Sequence, residues 1–292
     1  MHTGVVTDTN SGMSVREGQE RGIYVLAMPV IVDGKVYHEG QDVSFQELFQ
    51  AMEAEKQVST SSPSPLELQE VWDRAFADGC DELVYIPMSS GLSSSCEQAK
   101  LLAEQYDGRV YVADNHRISL TQYESVLDAK AMADNGKSAA EIKERLEDNT
   151  YGATIYLTVD SLDYLRKSGR ITAAAHALAA LLKIRPILTI QGEKIDAFAK
   201  ARGIRSAMRK MIEATAQDLR EKFQEIPKKK ILIGAAGTLV RQEDIDQWSE
   251  RVRAAFPGYT FLYHPLSCSV ACHTGPGAVG TGFVIMDRVA AD

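Results

Sequence analysis

Near the C-terminal end of the chain, His273-Thr274-Gly275-Pro276-Gly277-Ala278-Val279-Gly280 sets one imidazole beside a glycine-proline turn. Two hydroxyl-rich stretches lie far upstream, Val58-Ser59-Thr60-Ser61-Ser62-Pro63-Ser64-Pro65 and Ser89-Ser90-Gly91-Leu92-Ser93-Ser94-Ser95. Proline fixes φ and glycine frees it, so backbone N–H groups in such turns can converge on one anion. Hydroxyls add short hydrogen bonds, and histidine adds a charge near neutral pH. Together these groups suit a small anionic head group held without a metal.

Other chemistries fit the same residues less well. Gly275-Pro276-Gly277-Ala278-Val279-Gly280 spells GxGxxG, but the fingerprint requires a helix after the glycines. Thr281-Gly282-Phe283-Val284-Ile285-Met286 reads instead as a strand. A plain glycine turn between two strands is the simpler alternative for this segment. A P-loop would place glycine six residues before Lys137, where Ala131 stands. Ser93 and His273 also suggest a Ser/His hydrolase or acyltransferase. The nucleophile elbow is GxSxG, and Ser95 occupies the position of its last glycine. Cys268-x3-Cys272-His273 lacks the tight CxxC spacing and second ligand pair of a structural zinc site. The four cysteines, Cys80, Cys96, Cys268 and Cys272, are expected as buried free thiols.

The bulk composition is that of a soluble globular protein, with 45% apolar and 25% charged residues in 292. A net charge of −8 argues against a nucleic-acid partner, which calls for a basic face. Local basic groups concentrate between Arg166 and Arg209. No stretch reaches the ~18 apolar residues of a membrane helix. Met1–Asp8 has no basic n-region or apolar h-region, so a cytoplasmic location is expected.

The elements that position these residues alternate in the first half. Val5–Asp8, Glu82–Met88 and Arg109–Asp114 read as strands, and the segment Ile23–Val32 as a longer one with a break at Pro29. Ser44 and Ser138 each precede a helix with Glu three residues on, and Ser64 caps another with Pro65 at its first position. Asp33-Gly34 reads as a hairpin turn. Strands alternating with helices predict a parallel α/β sheet, whose ligand loops lie at the C-terminal strand ends. Near residue 150 the pattern changes. Ala153–Val159, Arg185–Ile190 and Ile231–Gly234 read as strands, Gln191–Lys194 as a hairpin turn and Gly203–Phe223 as a long helix. The Ala-rich segment Ala173–Ile184 reads as a tightly packed or pocket-lining helix. The expectation is α/β with two domains: an N-terminal parallel α/β sheet domain over 1–150 and a C-terminal mixed α+β domain over 151–292.

The ordered set of motifs resembles the DegV family, the fatty-acid-binding proteins that serve bacterial fatty-acid kinase. It comprises Thr7-Asp8-Thr9, Thr60–Pro65, Ser89–Ala99, Val112-Ala113-Asp114, Leu162–Ile171, Ile184–Leu188, Arg202 and His273–Gly277. The resemblance implies a long-chain fatty acid in a tunnel at the domain interface. Thr60 and Ser93 would bond its carboxylate, with Ser61 and Ser94 in the same site. His273 and Arg170 would stand at the mouth, and Arg202 would lie on the surface that an ATP-dependent fatty-acid kinase reaches. No catalytic residue, cofactor or metal is implied. The chain departs from the family pattern at Ser62, where the family has Gln, at Ser94-Ser95, where it has Gly-Thr, and at Asn115, where it has Ser. The alternatives are the stand-alone hydrolase or acyltransferase and a carrier of another amphiphile.

Physical chemistry supports such a cargo. About 14 methylenes leaving water at ~0.8 kcal/mol each gain roughly 11 kcal/mol. Burying a lone carboxylate works the other way and costs several kcal/mol unless it is hydrogen-bonded or paired. Hydroxyls and nearby cations offset that cost.

Overall fold

The short apolar runs of the first half fold as the alternation predicts. The computed structural model describes residues 2–178, 184–191 and 194–288. The chain divides into two compact units, Met1–Thr150 with Ser267–Ser269, and Tyr151–Leu266 with Val270–Asp292.

In the first unit the strands are β1 (Thr3–Asp8), β2 (Tyr24–Leu26), β3 (Pro29–Val32), β4 (Lys35–His38), β5 (Val58–Thr60), β6 (Glu82–Ile86) and β7 (Val110–Val112). The helices are α1 (Val15–Arg21), α2 (Phe45–Glu53), α3 (Pro65–Ala77), α4 (Ser95–Ala103), α5 (Ser119–Asp134) and α6 (Ala139–Asp148). An all-parallel sheet runs in the order β2-β1-β6-β7. Every residue of β1 and β6 is buried, as expected of strands covered on both faces. Trp72 of α3 fills the core between that helix and the sheet, with Tyr85 and Tyr106 edge-on to its ring. Helices α5 and α6 pack on β1, β6 and β7. Capping boxes open α2, α3 and α6 at Ser44, Ser64 and Ser138.

The segment Ile23–Val32 forms two strands that belong to different sheets. Proline cannot donate to a ladder and is confined to strand starts and edges. Here Pro29 begins β3, which pairs antiparallel with β4 and β5 in a small sheet of order β4-β3-β5. Asp33 and Gly34 both take positive φ, 49° and 80°, as a tight hairpin turn demands.

The second unit holds β8 (Ala153–Thr158), β9 (Arg185–Ile190), β10 (Asp196–Ala201), β11 (Ile231–Gly237), β12 (Thr260–Pro265) and β13 (Val279–Ile285). They form one mixed sheet of order β10-β9-β8-β13-β11-β12, in which β11 and β12 run parallel and the other pairs antiparallel. Its helices include α7 (Asp163–Ser168), α8 (Ala173–Leu178), α9 (Ile204–Lys222) and α10 (Gln242–Ala255), and α11 spans Cys268–Thr274. Helix α9 lays Ala207, Met211 and Ala214 on the sheet, and buried Trp248 of α10 donates its indole N–H to the Gly280 carbonyl. The fold is thus α/β, with a parallel sheet in one unit and a separate mixed sheet in the other. Residues 179–183 of the Ala-rich segment and 192–193 of the expected hairpin turn lie outside the described residues. Among the described residues, no helix is long and apolar enough to cross a membrane.

Candidate functional site

The serine loop begins where β6 ends and opens α4, at the C-terminal edge of the parallel sheet. Its shape is set by neighbouring strand ends. The Met88 N–H donates to the Asp8 carboxylate at 3.1 Å, and the Ser89 N–H to the Arg117 carbonyl at 2.9 Å. The Ser90 N–H donates to Asp114 Oδ1 at 3.2 Å. Leu92 and Ser93 then turn back with their N–H groups on the Ser89 carbonyl. The Ser93 hydroxyl oxygen accepts from the N–H of Ser95, the first residue of α4, at 3.2 Å. That acceptor role leaves the Ser93 hydroxyl proton available as a donor.

Thr60 closes β5 opposite Val30 and is half-buried. The stretch after it reaches the serine loop, because Ser62 Oγ and Ser94 Oγ lie 3.2 Å apart. The first unit therefore brings together the two hydroxyl-rich motifs. Ser61 and Ser94 are exposed, whereas Pro63 is buried and anchors the turn.

Two carboxylates that the sequence did not mark as structural fix this edge. Asp8 is fully buried, and burial pushes its carboxyl up; hydrogen bonds from Met88, Gln122 and Asn10 oppose part of that shift. Burial likewise pushes Asp114 up, but hydrogen bonds from Ser90 and the charges of His116 and Lys100 outweigh it, and the net shift is downward. Asp114 holds the serine loop through the Ser90 N–H. Cys96, Glu97 and Asp114 form a group with ligand atoms close enough for a metal. Lys100 Nζ already sits 2.7 Å from Glu97 and 3.5 Å from Asp114, so an ammonium supplies the positive charge there. The four cysteines are free and buried.

In the second unit the His-Thr-Gly-Pro-Gly motif follows a helix. His273 lies in the last turn of α11, and the turn after it is pinned by Thr238, which donates to the Gly275 carbonyl and accepts from the Ala278 N–H. Gly275 and Gly277 both have φ of 72°. A Cβ at Gly275 would fall 2.5 Å from the Tyr164 ring, and one at Gly277 would fall 2.5 Å from the Asp160 carboxylate. The Leu162–Arg170 motif and the glycine turn therefore pack on each other. Helix α7 ends at Gly169 in the left-handed region, and Arg170 follows with Nη1 on the Ser168 carbonyl at 2.6 Å. Arg202 is exposed between β10 and α9.

Burial first, and the Arg170 charge second, push the half-buried His273 imidazole down to about 4. It is neutral at pH 7. The unfolded chain takes up this proton near the ordinary histidine value and the native state only near 4. Stability from this group is therefore complete above pH ~6.5 and falls as pH drops toward 4. Arg170→Ala should raise the imidazole midpoint without returning it to the ordinary value, since burial is the larger cause. Histidine-selective NMR titration reads this; an unmoved midpoint would show that the guanidinium charge does not reach the ring.

Comparison with known proteins gives a consistent result. A family model described as an uncharacterised protein of the DegV family matches residues 2–286. A DegV domain-containing protein of Deinococcus radiodurans is 31% identical over 284 residues, 96% of this chain and 97% of that protein. One from Streptomyces coelicolor is 28% identical, covering 96% of this chain and 97% of its own. Among solved structures, a DegV family protein from Thermus thermophilus, described as fatty-acid binding, superposes with a TM-score of 0.86 at 26% identity, over 98% of this chain and 100% of that one. DegV of Bacillus subtilis, described as a fatty-acid-binding protein, shares the fold with a TM-score of 0.84 at 23% identity, over 98% of this chain and 99% of that one. On the family match across nearly the whole sequence, the chain belongs to the DegV family.

Proposed function

We propose that this protein binds a long-chain fatty acid and presents its carboxylate to a separate ATP-dependent kinase that forms acyl phosphate. Thr60 and Ser93 hold the carboxylate, with Ser61 and Ser94 beside them. Arg170 and His273 stand at the mouth of the head-group site. The protein is a cytoplasmic binding subunit without turnover of its own.

The observation that carries this reading is the condition of Ser93. Its oxygen accepts a helix N–H, its proton is left to donate, and its loop meets the Thr60 stretch through Ser62 and Ser94. Such a site suits an acceptor-only anion. The fatty acid described for the Thermus thermophilus relative gives that anion a chemical class. A neutral imidazole at His273 adds a hydrogen-bonding group without locking the carboxylate in an ion pair, so its oxygens remain available to a phosphoryl donor.

Presentation separates from binding at Arg202. Phosphoryl transfer depends chiefly on positioning and charge stabilisation, so an exposed cation near the meeting point serves the partner. Arg202→Ala should keep its bound fatty acid and lose most acyl-phosphate formation with a cognate kinase and ATP. Loss of lipid from that variant would make Arg202 a binding residue. Undiminished turnover would put the docking surface elsewhere.

A further inference from the structure

The Thr9-Asn10-Ser11 stretch that follows β1 has no role in the head-group account above, yet Asp8, Glu39 and the start of α11 all bond to it. Asp8 takes the Asn10 N–H at 3.0 Å on one side and the Met88 N–H at 3.1 Å on the other. Thr9 Oγ1 accepts from the Met28 N–H at 3.1 Å and donates to Glu39 Oε2 at 3.0 Å. Glu39 completes the ring, its own N–H donating to the Met28 carbonyl at 3.1 Å. The carboxylate of Glu39 has a further set of donors 229 and 230 positions along the chain. The Cys268 N–H donates to Oε1 at 2.5 Å and the Ser269 N–H to Oε2 at 3.4 Å. Ser269 Oγ donates to Asn10 Oδ1 at 2.5 Å.

Cys268 and Ser269 are the first residues of α11, and His273 is in its last turn. The sequence of that helix, Cys-Ser-Val-Ala-Cys-His-Thr, is rich in weak helix formers and only seven residues long. A helix of this kind depends on outside support, and its leading N–H groups have no partner within the helix. Glu39 supplies that partner through its carboxyl oxygens.

We infer that Glu39 is a positioning residue: seated by Thr9, it fixes the start of the helix that carries His273, and so sets the orientation of that imidazole. This rests on the proposed role of His273, but the seat itself can be tested without any lipid. The requirement is for an acceptor. All the contacts made to the carboxylate come from N–H or O–H donors, so an amide in its place would turn an NH2 group against one of them. Burial acts in the opposite sense by pushing this carboxyl upward, as the hydrogen bonds from Cys268, Thr9 and Ser269 counter.

The test compares delipidated wild type, Glu39→Gln and Glu39→Ala by histidine-selective NMR, then measures binding of [1-13C]palmitate. Glu39→Gln keeps side-chain volume and is expected to melt cooperatively. Its His273 ring signals should move or broaden while those of His2, His116 and His176 stay in place; His38, the sequence neighbour of Glu39, is left out of the comparison. Palmitate should dissociate about 10-fold faster, the effect of one lost hydrogen bond to a charged acceptor. His273 signals superimposable on wild type in both variants would overturn the proposal, as would unchanged palmitate dissociation. Should neither variant fold, the wild-type Cys268 amide decides: a downfield, slowly exchanging proton supports the seat, and exchange at the rate of an open loop overturns it. Wild type that binds no palmitate while its Cys268 amide is protected would retain the seat and refute the fatty-acid reading.

Discussion

Ser93→Ala and Thr60→Ala should each weaken fatty-acid binding by roughly 10- to 150-fold, the range for losing one hydrogen bond to a charged acceptor, ~1.5–3 kcal/mol. The two substitutions differ in what else they remove. Ser93 also accepts the Ser95 N–H, so losing that hydrogen bond should cost about 1 kcal/mol of stability as well. A fluorescent or isotopically labelled fatty acid measures the affinity, and a denaturation curve on the same samples measures the stability. If both variants bind palmitate as tightly as the parent, the carboxylate is held elsewhere. In the double variant the losses should fall short of their sum, because one carboxylate accepts both bonds and the stretches bearing them touch through Ser62 and Ser94.

Gly275→Ala should be the most damaging small substitution in the His-Thr-Gly-Pro-Gly motif, costing about 3 kcal/mol of stability. Its φ of 72° disfavours any side chain, and the new methyl would stand 2.5 Å from one Tyr164 ring carbon and 2.7 Å from another. Gly136 provides the control: its φ is 79°, but nothing lies within 4 Å of a Cβ built there. Gly136→Ala should therefore cost only the backbone strain, about 1–2 kcal/mol. Urea denaturation of both variants makes the comparison. Equal losses would mean that Tyr164 moves aside freely and that the close packing of the two motifs is not needed.

What could be read from the sequence was local. The serine-glutamate capping boxes, the Asp33-Gly34 turn and the alternation that gives a parallel sheet all depend on neighbours within a few residues. The resemblance to the DegV family also came from short motifs in order. What could not be read depends on distant partners. Pro29 marks a break, but nothing near it says that the chain leaves one sheet for another. His273 was expected beside a turn; that it sits on a short helix follows from a cap on Glu39, 229 positions from Cys268. The bond from the Ser90 N–H to Asp114 is visible only once β6 and β7 lie side by side. The glycines of the turn suggested anion binding, and part of their necessity lies in Tyr164 and Asp160, more than a hundred residues earlier.

Native mass spectrometry of protein purified from a bacterial host, followed by organic extraction of the bound species, tests the central claim most directly. Transfer of about 14 methylenes from water is worth roughly 11 kcal/mol, enough for the cargo to survive purification. The account predicts one long-chain fatty acid per chain at near-equal stoichiometry, released on denaturation and reduced in Ser93→Ala. Protein free of any acid, or carrying only a lipid without a carboxylate, would contradict it.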